Sequence, residues 1–141
     1  MKPTLCDTFC RKAMYVARKS TMRQKHGCVI VYNNKDIVAE GYNHTRNNTM
    51  EKIWSTHAEI EAINKLRQFI HKKDKHFISK CKLYVVRIGI SKREKALKQS
   101  SPCPHCSRAI SSIGIQKVCY SDDDNGFEEE YIADVLCNMK L

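Results

Sequence analysis

The 141-residue chain reads as an α/β protein, a three-layer α/β/α sandwich on a mixed five-stranded sheet. Three observations carry this. Segments with helical apolar spacing alternate with short apolar runs of strand length. The first two strands are separated by a tight turn, which makes them antiparallel, while later strands are separated by helices, the pattern of parallel crossovers. A strong turn near the end allows a last strand to fold back on its predecessor.

In order, residues 7–20 place Phe9, Ala13, Val16 and Ala17 on one helical face, with Asp7 or Thr8 as N-cap. Val29–Tyr32 and Ile37–Tyr42 flank Asn33-Asn34-Lys35-Asp36, residue types that tolerate tight turns, and form a hairpin. Thr56 is placed to cap a helix to about Phe69, with Ile60, Ile63 and Leu66 at a spacing of three. Leu83–Ile88 is a strand with an apolar run long enough to be central. Pro104 suits the first turn of a helix that continues through Ala109, Ile110 and Ile113 and stops at Gly114. Lys117–Tyr120 is a fourth strand. After the turn residues Asp122-Asp123-Asp124-Asn125-Gly126, a fifth strand at about 126–131 is expected antiparallel to the fourth, then a short helix. Residues 128–139 also satisfy helical spacing. No internal repeat or low-complexity linker interrupts the chain, so 1–141 is expected to be a single domain.

Two motifs carry the chemistry. His57-Ala58-Glu59 and Pro102-Cys103-Pro104-His105-Cys106 together read H-A-E … P-C-x-x-C. One imidazole and two thiolates fill three tetrahedral positions of Zn²⁺ and leave the fourth open for a water. The metal lowers that water's pKa. Glu59, two residues from His57, reaches the same water without binding the metal and can move protons. The combination is the signature of hydrolytic nucleobase deamination. Taken singly, the halves are weaker. An H-A-E also occurs on ordinary helix faces, and one C-x-x-C could be half of a Cys₄ zinc site or a redox pair. No second C-x-x-C is present to complete four thiolates, and prolines flank Cys103 on both sides.

On these motifs the chain resembles the cytidine and deoxycytidylate deaminase superfamily. Lys25–Val31 is similar to its first strand, and Glu40-Gly41-Tyr42-Asn43 to its second strand and substrate asparagine. Thr56–Ile63 resembles the helix with the first ligand, Leu83–Val86 the third strand, and Gly114–Ser121 the fourth. The likeness covers roughly residues 5–131. It implies Zn²⁺ on His57, Cys103 and Cys106, with Glu59 as proton carrier. It further implies that Asn43 bonds the sugar or base edge. The Ala58 N–H would meet the base O2, and the Ser101 carbonyl the exocyclic amine. The expected reaction is hydrolysis of a small cytosine nucleotide, dCMP to dUMP or similar, releasing ammonia. Assembly as a homo-oligomer is expected as well.

Other members of the superfamily fit less closely. Free-cytidine deaminases resemble C-A-E at the first ligand. The tRNA adenosine deaminases resemble E-P-C-x-M-C, whereas Ser101 precedes Pro102 here and His105 stands where methionine is usual. Polynucleotide cytosine editors resemble S-W-S-P-C and share a parallel fifth strand, but here Gln99-Ser100-Ser101 precede Pro102. Guanine deaminases share both motifs and stay open, as does a zinc-binding module without catalysis, which would have no use for Glu59. His44-Thr45-Arg46 after Asn43 departs from the deoxycytidylate type, which has a glycine-led loop there.

The net charge of +10 is lopsided, with +14 on residues 1–101 and −4 on 102–141. Much of the excess lies between Lys65 and Lys98, including Lys72, Lys73, Lys75, Lys80, Lys82, Arg87, Lys92, Arg93 and Lys95. Such a stretch serves either as a footprint for nucleic acid or as solubilising charge that steers a phosphorylated substrate. Its few aromatic neighbours (Phe69, Phe77, Tyr84) favour the second, since single-strand binders interleave stacking platforms. Lys19, Arg23 and Lys25 are candidates to meet phosphate on charge and location alone. No apolar run approaches the ~20 residues of a membrane span. The N-terminus lacks the apolar stretch of a secretory signal, so an intracellular, cytoplasmic location with its eight cysteines reduced is expected. Cys28 and Cys119 fall inside apolar strands and read as small core residues.

Overall fold

Along the first long strand, Val29 and Val31 turn to one side and Cys28 and Ile30 to the other, and all four are fully buried. A strand covered on both faces needs helices above and below it, and that requirement organises the molecule. The computed structural model describes residues 4–46, 54–70, 74–89, 96–123 and 126–138. Its elements are α1 (Leu5–Ala17), β1 (Lys25–Tyr32), β2 (Asp36–Tyr42), β3 (His44–Arg46), β4 (Trp54–Thr56), α2 (Ala58–Phe69) and α3 (Lys75–Ser79). There follow β5 (Cys81–Gly89), β6 (Ala96–Lys98), α4 (Pro104–Ile113), β7 (Lys117–Ser121), β8 (Phe127–Tyr131) and α5 (Ile132–Asn138).

The main sheet runs β2-β1-β5-β7-β8. β1 is antiparallel to both β2 and β5, β5 is parallel to β7, and β8 turns back antiparallel to β7. Helix α1 covers one face over Val29, Val31, Tyr84, Val86 and Cys119. Helices α2, α4 and α5 cover the other over Cys28, Ile30, Leu83, Val85 and Val118. The mixed three-layer architecture, the central place of β5 and the antiparallel last strand therefore agree with the reading of the sequence.

Several details differ. The sheet has a sixth strand, β6, which pairs with β5 at Arg87–Gly89, beyond the Lys82–Val85 segment that pairs with β7. A two-stranded hairpin, β3–β4, stands apart from it. Helix α1 is capped by Thr4 and not by Asp7 or Thr8: the Asp7 N–H donates to Thr4 Oγ1 at 3.1 Å and the Thr4 N–H returns to Asp7 Oδ2 at 3.2 Å. It ends at Ala17 and not at 20, because Ser20 donates its hydroxyl to the Asn43 carbonyl at 2.8 Å and draws the chain to the end of β2. Thr56 belongs to β4, so His57 occupies the cap position of α2 and makes no capping bond there. Not all thiols are free, since Cys6 on α1 is joined by a disulfide to Cys119 on β7. Asp124, Asn125 and Met139 lie outside the described residues, as do Lys72, Lys73, Lys92, Arg93 and Lys95.

Close helix–sheet contact depends on two glycines. A Cβ on Gly27 would fall 2.0 Å from the Ala13 carbonyl oxygen of α1. One on Gly41 would fall 2.6 Å from the Ala58 carbonyl oxygen and 2.7 Å from the Ala62 nitrogen of α2. Both contacts are with backbone, which cannot swing aside. Gly41 therefore sets how deeply the first turn of α2, with His57 and Glu59, seats on β2. Gly41→Ala is expected to lower stability by about 1–3 kcal/mol or more, as overpacking does, and to weaken metal retention with it. Thermal denaturation and zinc analysis of the variant check this.

Candidate active site

Pro104 at the first position of α4 presets its start, and Gly114, at φ 107° in the left-handed region, ends it. Cys103 takes the N-cap position, where its sulfur accepts the Cys106 N–H at 3.5 Å. One helical turn later Cys106 points the same way, fully buried. His57 comes from the start of α2, on the same face of the sheet. Its Nδ1 lies 3.2 Å from Cys106 Sγ and 3.6 Å from Cys103 Sγ. All three donor atoms fall within 4.8 Å of one another. One imidazole and two sulfurs at this separation fit a single zinc ion, with His57 on the exposed side leaving an approach to it. A second cluster, Cys6, Cys10 and Cys119, is equally tight, but two of its sulfurs are spent in the disulfide.

Glu59 is only 4% exposed, and its Oε1 has no hydrogen-bond partner. Burial holds its carboxyl above the usual range, opposed by its own backbone N–H, the nearby His57 and the Cys106 thiol. Cys106 feels the converse. Burial pushes its thiol up, and the neighbouring Glu59 and Cys103 add to the shift. A buried carboxyl with a free oxygen beside three ligand atoms is a group placed to exchange protons with whatever occupies the centre. Cys28 lies within reach of the Glu59 charge on the sheet face below, and burial drives that thiol well above its ordinary range.

Asn43, 7% exposed, commits its side chain to β1. Oδ1 accepts the His26 N–H at 2.8 Å, and Nδ2 donates to the Gln24 carbonyl at 2.6 Å. One lone pair and one N–H remain for another partner. The Ala58 N–H belongs to the first turn of α2, whose amides have no partner within the helix. Ser101 stands just before the Pro102-Cys103 step, with its N–H held by Gln99 Oε1 at 3.1 Å. Of the basic residues at 19–25, Lys19 pairs with Glu40 at 3.2 Å and Lys25 donates to the Ser20 carbonyl. Arg23 is exposed.

The loop that carries Cys103 is fixed by serines the sequence gave no reason to single out. Ser100 Oγ lies 2.8 Å from Ser121 Oγ and donates to the Val85 carbonyl at 3.0 Å. Ser121 Oγ donates to the Lys98 carbonyl at 2.6 Å, and the Arg87 N–H donates to Ser121 Oγ at 3.2 Å. Ser107 holds the Pro102 carbonyl at 3.1 Å. Ser100, Ser107 and Ser121 are all buried. The sequence held no signal for them beyond Ser121 closing the apolar run Val118–Tyr120, and that signal is common. β2 and β5 are parallel but not adjacent, because β1 lies between them.

The fold and this donor set define a class, the zinc-dependent hydrolytic deaminases. The chain belongs to the cytidine and deoxycytidylate deaminase family, whose zinc-binding region is matched over residues 4–122. Among solved structures it is similar to the dCMP deaminase of cyanophage S-TIM5 in apo form, at 24% identity and a TM-score of 0.63, covering 98% of this chain and 94% of that one. The same phage enzyme in complex with dCMP and dUMP matches at 22% identity and 0.61, over 98% and 93%. A cytidine deaminase from Burkholderia pseudomallei matches at 14% identity and 0.67, over 91% and 93%. At these identities the likeness is one of fold. No curated protein matches by sequence. No helix among the described residues is long and apolar enough to cross a membrane.

Proposed function

We propose that this enzyme hydrolyses a small cytosine nucleotide, with dCMP and water giving dUMP and ammonia. The observation that carries the choice of a small substrate is β8, which pairs antiparallel with β7 from Lys117↔Tyr131 to Ser121↔Phe127. The superfamily's polynucleotide editors resemble one another in a parallel strand there. The residues before Cys103 likewise match neither editing motif in full. A phage dCMP deaminase of this fold, solved with dCMP and dUMP, adds support.

In this reading His57, Cys103 and Cys106 hold zinc. Zinc, when bound, lowers the pKa of a water and so supplies the nucleophile for C4 of the ring. Glu59 would take one proton from the attacking water and pass it to N3, then carry the second, from the hydroxyl formed on C4, to the departing amine, which leaves as ammonia. Its unpartnered Oε1 leaves it free to do so. The Ala58 N–H holds the base O2, the Ser101 carbonyl orients the exocyclic amine, and the remaining capacity of Asn43 meets the sugar or base edge.

The test is ammonia release from cytosine, adenine and guanine nucleosides and nucleotides, tRNA and single-stranded DNA. dCMP is expected to be converted in preference to any polynucleotide. Binding of nucleic acid through the 65–98 stretch should fade steeply with salt, since it rests on counterion release, while dCMP turnover responds far less. In the structure Lys65 and Lys82 of that stretch already pair with Glu61 and Glu129. Rapid editing of tRNA or single-stranded DNA, with no conversion of a mononucleotide or nucleoside, overturns the reading.

A further inference from the structure

On the face of the sheet that carries the metal ligands, three strands place basic side chains in one lateral row. His26 of β1 is paired with Arg87 of β5, and Arg87 with Lys98 of β6. Cross-strand partners project to the same face. The side can be read from their neighbours. Cys28, two residues from His26, and Val85, two residues from Arg87, belong to the core under α2 and α4. Leu97, next to Lys98, faces α1 instead. The row lies two residues beyond Cys28, the thiol exposed to the Glu59 charge, or about 7 Å at ordinary strand rise. His26 lies close enough to His57 for the two rings to interact electrostatically. The row therefore lies on the metal centre's face of the sheet, beyond Cys28.

Two features mark the row as made for a ligand. His26 Nε2 and Arg87 Nε are both buried without a hydrogen-bond partner. Unpartnered buried polar atoms are costly, and a ligand oxygen between them removes the cost. In addition, Lys19, Lys65 and Lys82 each have a carboxylate, whereas neither Arg87 nor Lys98 forms an ion pair among the described residues. Burial first, and then the neighbouring Arg87 guanidinium, lower the pKa of His26. The backbone of the row is tied to the zinc loop, because the Arg87 N–H and the Lys98 carbonyl both bond Ser121 Oγ.

We propose that His26, Arg87 and Lys98 form the subsite that receives the phosphate of a mononucleotide substrate and makes the enzyme prefer nucleotide to nucleoside. This rests on the reading of the site as a cytosine nucleotide deaminase. Arg87 supplies the fork that a phosphate dianion takes bidentately, Lys98 a point charge at the rim, and His26 a neutral N–H. Of the candidates at 19–25, Lys19 and Lys25 are engaged elsewhere.

The experiment compares dCMP with deoxycytidine on the zinc-loaded full chain, by kcat/KM and by calorimetric binding. The wild type is expected to prefer dCMP. In Arg87→Met the ratio of the two kcat/KM values should fall about 10- to 100-fold, the worth of a charge-assisted contact. Arg87→Lys should restore part of it, and the exposed Lys98→Met should lower the ratio by a smaller factor, which carries the test if Arg87→Met does not fold. Equal losses on both substrates, or an unchanged ratio, overturn the inference. So does an Arg87→Met variant that loses affinity for a single-stranded oligonucleotide but not for dCMP. If no cytosine compound is deaminated, the reaction fails while the subsite is still read from binding: an Arg87-dependent preference for dCMP over deoxycytidine upholds it, and none overturns it.

Discussion

Glu59→Gln is expected to keep a full equivalent of zinc and to lose turnover by about 10²–10⁴-fold, the range for removal of a general acid/base. Glutamine keeps the size of the side chain and its hydrogen bonding, so packing beneath α2 is undisturbed. Only the ability to carry a proton goes. The geometry makes the separation clean. The three atoms within ligand distance of one another are His57 Nδ1 and the two sulfurs of Cys103 and Cys106, and Glu59 is not among them. Its Oε1 is instead buried and unpartnered. Elemental analysis and ammonia release on the same preparation check both halves. Turnover near that of the wild type would remove Glu59 from the mechanism, and loss of zinc would make it a ligand.

What was legible in the sequence was what short-range physics fixes. The apolar run in Leu83–Ile88 is long enough for a central strand, and β5 is the centre of the sheet. Pro104 and Gly114 bracket α4 because one presets the starting φ and the other accepts the left-handed end. H-A-E and P-C-x-x-C are local patterns whose spacing is the chemistry, and His57, Cys103 and Cys106 meet across 46 residues or more. What was not legible depends on partners distant in the chain. β3, β4 and β6 are three residues each, too short for a period of two to register. Asp7 looked like a cap but serves as the third residue of a box that begins at Thr4. The Ser100–Ser121 pair and the His26–Arg87–Lys98 row exist only through strand register, which no single segment encodes. A basic count between Lys65 and Lys98 could not distinguish the lysines paired with carboxylates from Arg87 and Lys98, which form no ion pair among the described residues.

Cys103→Ala is expected to abolish zinc binding and to destabilise the fold. Cys103 contributes twice. Its sulfur is one of three ligand atoms, and it caps α4 by accepting the Cys106 N–H. Loss of the cap alone costs about 0.5–2 kcal/mol. The metal matters more, because it joins the starts of α2 and α4, which otherwise meet only through packing. Binding to the folded state alone stabilises by the full linkage term, roughly 2.7 kcal/mol once free metal exceeds its dissociation constant a hundredfold. A two-ligand remainder of His57 and Cys106 cannot hold the ion in that regime. The expected result is therefore substoichiometric zinc, no deamination, and a thermal midpoint lower than that of the wild type by more than a cap mutation explains. Cys103→Ser separates the contributions. Its hydroxyl can still accept the Cys106 N–H, so it should recover the capping part of the stability and none of the zinc. A Cys103→Ala protein that retains one zinc per chain would show that the centre lies elsewhere.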